Sequence, residues 1–416
     1  MKKILKKITI FYFIFLFLFY NICIATEVDS SEEFSITDIS RKVSTQIDNL
    51  SSINSRAFVV LDRKTSSIII GKNEKEKRKM ASTTKIMTAL IVIENSKLDT
   101  LVEVSKKAAG TGGSRLGLKT GDKITINDLL YGLMLCSGND AAVCLAETIG
   151  GNIPGFAKLM NEKAKQLGLK NTNFVTPHGL DENEHYTTAY ELALLANYAL
   201  NNETFSRIVG TKSITISING YPKTISNTNE LLGNLNGVYG IKTGFTNGAN
   251  RCLVTACKRD DMDIVCVVLG ADTKNFRTKD SIKLIEYTFK NYQYFDLQNF
   301  VEKEFNSWKN NNMYNFTIRK GISQHLDLSY SILQNTIIPI KKNDISSIKL
   351  QISCNTSLNA PIYKDDVIGK IEIICDETIL DSLDILSNIT IREKNVFDYF
   401  IELLKNYSVS LNSLSL

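Results

Sequence analysis

The spacing of hydrophobic and polar positions changes several times along the chain. Residues 57–62 and 67–71 are short β-rich runs flanking Arg63-Lys64-Thr65-Ser66, a pattern that predicts a hairpin. Residues 82–94 are almost wholly apolar after Lys85 and repeat at helical spacing, which predicts a buried helix. Two more helices are expected over 127–135 and 141–149, broken by Cys136-Ser137-Gly138-Asn139, and others over 153–168 and 189–200. Residues 240–243, 251–257 and 264–270 then read as strands, the last two joined by the polar turn 258–262, and 276–292 as a closing helix. A hairpin first, helices in the middle, and strands with a helix last imply one sheet assembled from both ends of the domain. That is an α/β (α+β) arrangement of a sheet flanked by helices.

Beyond residue 293 the texture shifts. Segments 313–319, 345–353 and 366–374 alternate apolar and polar residues between turn signals, so a small β-rich domain is expected over 294–393. In the last segment, 394–416, Phe397, Phe400, Leu404, Tyr407, Leu411 and Leu414 recur every three or four residues and form one face of a helix. Such a helix can pack on its own domain or lie in a membrane interface.

The N-terminus decides between those placements. Lys2, Lys3, Lys6 and Lys7 precede an unbroken apolar run over 8–20, followed by Cys23-Ile24-Ala25. A charged start, an apolar middle and small residues at the end match an export signal cleaved after Ala25. The rival is an uncleaved membrane helix, since 8–25 nearly reaches the ~20 residues that span a bilayer. In both cases the rest of the chain lies outside the cytoplasmic membrane, which favours a membrane-anchoring role for 394–416. Residues 26–49 read as a polar lead-in, and 50–293 as the main domain.

Composition narrows the classes. With 43% hydrophobic and 22% charged residues over 416 positions, the chain is globular, not disordered or fibrous. The net charge of +5 falls to +1 without the first 25 residues, which excludes a strongly basic nucleic-acid binder. Eight cysteines become seven without Cys23, none in C-x-x-C spacing, and there are three histidines, so no metal site is expected. Cys136 and Cys144 are too far apart along a helix to bond. Buried free thiols are the default, with a Cys354–Cys375 bridge between neighbouring strands left open.

Three short motifs carry candidate chemistry. In Ser82-Thr83-Thr84-Lys85 the hydroxyl and the amine share one helix face, and Ser82 is expected at the helix start. A lysine can activate a serine once burial or a nearby cation holds its amine neutral. The spacing alone is cheap, because Ser346 and Lys349 also satisfy it. Ser137-Gly138-Asn139 occupies the break between two helices, which would present it to a cleft. Its hydroxyl can relay a proton, and the Asn139 amide can bond a substrate carbonyl. Ser217/Asn219 and Ser357/Asn359 share that spacing. Lys242-Thr243-Gly244 ends a strand and precedes two more, whereas Lys119-Thr120-Gly121 spells the same thing in a polar loop. Lys242 is therefore preferred: its cation would meet a substrate carboxylate and help keep Lys85 neutral. Gly244 would let a peptide approach the strand edge.

The order of the three motifs resembles the penicillin-recognising serine enzymes. The longer runs ASTTKIMTAL from Ala81, SGNDAA from Ser137, PHGLD from Pro177, YTTAY from Tyr186 and GIKTGF from Gly240 are similar to the low-molecular-weight D-alanyl-D-alanine carboxypeptidases, serine peptidase family S11. The resemblance covers roughly residues 50–292. It implies a β-lactamase/DD-peptidase-like domain with an antiparallel sheet, and the β-rich domain and amphipathic anchor are also common in that family. It implies Ser82 as the acyl-forming nucleophile, Lys85 as general base and Ser137 as proton relay. Asn139 would be a substrate-binding neighbour, Lys242 and Thr243 would bind the terminal carboxylate, and Gly244 would be substrate-binding beside them. The backbone N–H groups of Ser82 and Phe245 would form the oxyanion hole, and Arg277 would lie near the carboxylate site. Phe245 departs from the polar residue common there. His178 and His185 match family segments in structural roles. The implied substrate is a peptidoglycan stem peptide ending in D-Ala-D-Ala, with β-lactams as inhibitors and neither metal nor cofactor. A class A β-lactamase is the rival enzyme, but no E-x-x-L-N pattern follows Ser137, the nearest match being Glu191-Leu192. A catalytically silent scaffold is the non-enzymatic alternative, against which the intact motifs argue.

Overall fold

The computed structural model describes residues 52–413, with side chains to 405. The expected signal (1–25) and lead-in (26–49) lie outside these residues, as do the side chains of Tyr407 and Leu411 and all of Leu414.

Strands β1 (Ala57–Asp62) and β2 (Ile68–Lys72) form the predicted hairpin. They join β7 (Val238–Thr246), β8 (Asn250–Arg259) and β9 (Met262–Ala271) in an antiparallel sheet of order β2-β1-β9-β8-β7. The sheet is thus built from both ends of the domain. Its middle strands are near-continuous apolar runs because both faces are covered. On one face Phe58, Val60, Leu253 and Val268 pack with Ile282 and Ile285 of the closing helix (Lys274–Asn291, α7 below). On the other, Val59, Leu61, Val254 and Val267 meet the helical half of the domain.

That half centres on α1 (Lys85–Asn95), surrounded by α2 (Ile126–Met134), α3 (Asn139–Gly150), α4 (Ile153–Gln166), α5 (Ala189–Leu200) and α6 (Glu203–Val209). Ile86, Met87, Leu90 and Val92 of α1 are all fully buried, each worth about 1.5–3 kcal/mol of apolar burial. Helix starts are fixed by caps: Thr125, Asn152, Thr188 and Thr273 accept from backbone N–H groups of α2, α4, α5 and α7. Two small hairpins complete the domain, β3 (Leu101–Glu103) with β4 (Lys123–Thr125) and β5 (Ser213–Ile218) with β6 (Tyr221–Ser226). Neither has a counterpart in the sequence reading.

The helix expected over 82–94 begins later. Ala81–Thr84 is a 3-10 turn and α1 starts at Lys85, so Ser82 sits on the turn and not on the α-helix. Ala81 holds a φ of 50°, in the left-handed region that is incompatible with regular helix. Asn139, expected in the break, is the first residue of α3.

From α7 the chain passes directly into β10 (Tyr292–Asp296), and then α8 (Leu297–Asn312), a helix the alternation pattern does not announce. Leu297, Val301 and Phe305 bury one face of α8 in a second core. Around it lie β11 (Thr317–Arg319), β12 (Leu328–Tyr330), β13 (Ile337–Lys341), β14 (Ile348–Cys354), β15 (Ser357–Asn359), β16 (Val367–Cys375) and β17 (Thr378–Ser387). The main sheet runs β12-β17-β16-β14. Residues 342–347, the first three of which precede a predicted strand, form a 3-10 turn instead. The Cys354–Cys375 bridge does not form. In the β14–β16 register Cys354 faces Gly369 and Cys375 faces Ile348, at opposite ends, and all seven cysteines of the described residues are free thiols. The last helix, α9 (Val396–Ser413), leaves Phe397, Phe400, Leu403 and Leu404 exposed. Among the described residues no helix is long and apolar enough to cross a membrane.

Candidate active site

The three motifs converge on one cleft of about 490 Å³ between the helical half and the β7 edge. Ser82, Ser137, Thr243, Gly244, Phe245 and Arg277 line it. The decoy Lys119-Thr120-Gly121 stays on an exposed loop.

Ser82 is presented by the 3-10 turn, which is fastened from behind. The Thr84 hydroxyl donates to Ala81 O at 2.8 Å and meets His185 Nε2 at 2.8 Å. Gly179, at φ 84°, fits against the same turn, where a Cβ would fall 1.9 Å from Ala81 O. Gly244 approaches from the other side, and a Cβ there would sit 3.1 Å from Ser82 N. Backbone strain gathers here as well, with Ser137 at φ 60° beside Ala81 at 50°.

Lys85 Nζ is fully buried and touches three oxygens: Ser82 Oγ at 2.8 Å, Asn139 Oδ1 at 2.7 Å and His178 O at 2.9 Å. The Asn139 amide is oriented by its other end, which donates to Gly112 O at 2.7 Å. Asn139 Oδ1 and His178 O can only accept. A neutral amine has two N–H donors and one lone pair; the two carbonyl oxygens take the donors, and the lone pair is left facing the Ser82 hydroxyl. The neutral state is favoured by the surroundings. Burial holds the Lys85 amine well below the ordinary lysine range, and the Lys242 cation pushes it the same way. Asp140 and Cys136 pull in the opposite direction.

Asp140 is buried directly after Asn139, and backbone amides occupy its carboxylate. Leu116 N (2.7 Å) and Ala141 N (2.9 Å) bind one oxygen, Gly117 N (2.7 Å) and Leu118 N (3.0 Å) the other. This ties the loop before β4 to the Ser137 turn. Ser137 Oγ is buried and has no hydrogen-bond partner, so it is open to a substrate group.

Lys242 is also buried, bonds Thr243 O at 2.9 Å, and is pushed down to about 7 chiefly by burial, with Arg277 adding to the effect. Thr243 Oγ1 pairs with Thr228 Oγ1 at 2.8 Å. Asp181 of the PHGLD run holds the turn beyond β7, accepting from Thr246 Oγ1 (2.7 Å) and Gly248 N (2.9 Å). Arg277 lies in the cleft, as the sequence suggested, but is not free: its Nη2 donates to Glu230 Oε1 at 2.9 Å, and Lys274 meets Glu230 Oε2 at 2.8 Å. Glu230 is a residue the motif reading missed. It belongs to no recognisable run, and only its charge ahead of Leu231-Leu232 marks it. His178 and His185 are buried, with burial holding them at about 3 and about 4, so both are neutral and structural. Glu191 accepts from Asn171 N (2.9 Å) and Thr172 Oγ1 (2.5 Å), and so serves the scaffold ahead of α5. Among the described residues, no group of three or more His, Cys, Asp or Glu is placed to hold a metal ion.

A family model described as D-alanyl-D-alanine carboxypeptidase (peptidase S11) matches residues 42–273, and one for the C-terminal domain of penicillin-binding protein 5 matches 309–393. The chain is 34% identical over 331 residues to the D-alanyl-D-alanine carboxypeptidase DacF of Bacillus subtilis, covering 78% of this chain and 82% of the relative. The crystal structure of the D-alanyl-D-alanine carboxypeptidase DacD from Francisella tularensis superposes with a TM-score of 0.70 at 26% identity, over 89% of this chain and all of that one (100%). Penicillin-binding protein 5 from Haemophilus influenzae gives 0.65 at 28% identity, over 83% and 99%. With its three motifs gathered around one buried lysine and more than half its length matched by the family model, the chain belongs to the S11 family of D-alanyl-D-alanine carboxypeptidases.

Proposed function

We propose that this protein is an exported serine-type carboxypeptidase that removes the terminal D-alanine from peptidoglycan stem peptides and is acylated by penicillins. The observation that carries the reading is the 2.8 Å contact between Ser82 Oγ and a buried Lys85 amine whose other two contacts are carbonyl oxygens.

Lys85 takes the Ser82 proton as Oγ attacks the carbonyl joining the last two D-alanines. The oxyanion develops against the N–H groups of Ser82 and Phe245. As the intermediate collapses, the C–N bond breaks and the departing amine takes a proton from Lys85, relayed through Ser137 Oγ. Water, activated by the Lys85 amine, then hydrolyses the ester and frees Ser82. Lys242 and Thr243 bind the carboxylate end, and Asn139 the peptide preceding the scissile bond. Glu191, committed to Asn171 and Thr172, does not supply the separate deacylating base of a class A β-lactamase.

Residues 1–25 direct export, residues 50–293 carry the reaction, 294–393 form the second domain, and α9 rests its exposed Phe397, Phe400 and Leu404 on the membrane surface. The test is mass spectrometry of the mature protein after exposure to benzylpenicillin, together with release of D-alanine from a stem peptide. The expected result is one long-lived adduct on Ser82, with both activities lost in Ser82→Ala. An adduct on any other residue, or rapid penicillin turnover, overturns the assignment.

A further inference from the structure

Arg251 stands across from Phe245 in the β7–β8 register, and its guanidinium lies 3.7 Å from the centroid of the Phe245 ring. Both residues line the cleft that holds Ser82. The stack fixes a long side chain that would otherwise sample many rotamers, and a planar guanidinium on an aromatic face keeps its in-plane N–H groups free to bond. Among the described residues, the Arg251 guanidinium has no ion pair or hydrogen bond; the stack is its one contact of this kind.

The second arginine of the cleft is differently placed. Arg277 is 4% exposed and bound to Glu230, which also accepts from Lys274 and from the Thr278 hydroxyl. A carboxylate is therefore already seated on the Arg277 edge that the chain presents to Glu230. One acidic and three basic side chains line this end of the cleft, and the cation left without a carboxylate is Arg251.

On the reading proposed above, we propose that Arg251, seated on Phe245, is a further specificity-determining cation that meets the substrate's terminal carboxylate beside Lys242 and Thr243, while Glu230 restrains Arg277. The departure at Phe245 then has a purpose. An aromatic ring after Lys-Thr-Gly costs a side-chain polar contact and gains a platform that aims a guanidinium into the cleft. Glu230 tunes the site by competing with the incoming carboxylate for Arg277.

The experiment compares kcat/KM for a stem peptide ending in D-alanine and for the same peptide ending in D-alaninamide, in the full-length wild type and in Arg251→Ala, Arg251→Lys, Glu230→Gln and the double variant E230Q/R251A. The acid-to-amide ratio should fall about tenfold or more in Arg251→Ala, mainly through KM, since a charge-assisted contact is lost. Arg251→Lys, which keeps the charge but loses the planar stack, should be intermediate. Glu230→Gln in the Arg251→Ala background should restore part of the ratio by releasing Arg277. An unchanged ratio in Arg251→Ala overturns the proposal, as does an equal loss on both peptides or a double variant no better than R251A. Failure of the underlying reading looks different: the wild type itself then gives neither a penicillin adduct nor D-alanine.

Discussion

Thr84 and His185, 101 residues apart in the chain, meet at 2.8 Å on the turn that presents Ser82. Val175 N donates to the other ring nitrogen at 2.9 Å, so the ring proton resides on Nε2 and is donated to Thr84 Oγ1, which donates in turn to Ala81 O. Removing the imidazole leaves buried groups unpaired. His185→Phe should cost about 1–3 kcal/mol in thermal or urea unfolding and slow acylation of Ser82 by loosening its turn.

The same burial makes stability depend on pH. The ordinary value of 6.5 is lowered to about 4 for His185 and about 3 for His178, so between these limits the unfolded chain binds more protons than the folded one. The contribution is complete above pH 6.5 and is lost as the pH falls, through about 4 for His185 and on through about 3 for His178. The urea midpoint should drop over that range, and by less in His185→Phe.

Lys242, held at about 7 by burial, gives the activity profile a limb. Its charge both attracts a substrate carboxylate and suppresses protonation of Lys85. The expectation is that kcat/KM on a carboxylate-ended peptide declines as the pH rises through about 7 and the charge is lost. Lys242→Arg, which stays charged, should carry that limb out of the range, as pH–rate profiles of the two proteins will show.

Gly244 is required by space, with Ser82 N at 3.1 Å and Met80 O at 3.2 Å from where a Cβ would stand. Both are main chain and yield little. Gly244→Ala should reduce acylation about ten- to a hundredfold by displacing an oxyanion donor, with a smaller effect on melting temperature. Stopped-flow acylation with a chromogenic cephalosporin separates the two effects.

Truncation after residue 393 tests α9. The shortened protein should lose vesicle sedimentation, with anionic and neutral lipid compared, while kcat/KM on a soluble peptide stays within twofold.

The chemistry was more legible than the local backbone. Ser82 and Lys85 meet as their spacing requires, and the choice of Lys242 over Lys119 followed from one copy ending a strand and the other lying in a polar loop. The start of α1 was misread, because hydrophobic periodicity does not register the left-handed Ala81 that turns residues 81–84 into a 3-10 turn. Hairpin β5–β6 escaped notice although Ser213–Ile218 alternates strictly, because its partner strand carries Pro222 and no such alternation and is mostly exposed. Helix α8 escaped because its buried stripe is only Leu297, Val301 and Phe305 in a polar sequence. The Glu230–Arg277 pair joins a loop to a helix 47 residues later, a proximity that only the assembled sheet creates.

Asp140 places a negative charge near the Lys85 amine with every oxygen already engaged by main-chain amides. A carboxylate with an open lone pair would clasp that nitrogen and fix it as ammonium, leaving nothing to accept a proton. Tethered as it is, Asp140 offsets part of what burial and the Lys242 cation do to the Lys85 amine without quenching it. The enzyme thereby tolerates its own basic interior while keeping one amine reactive.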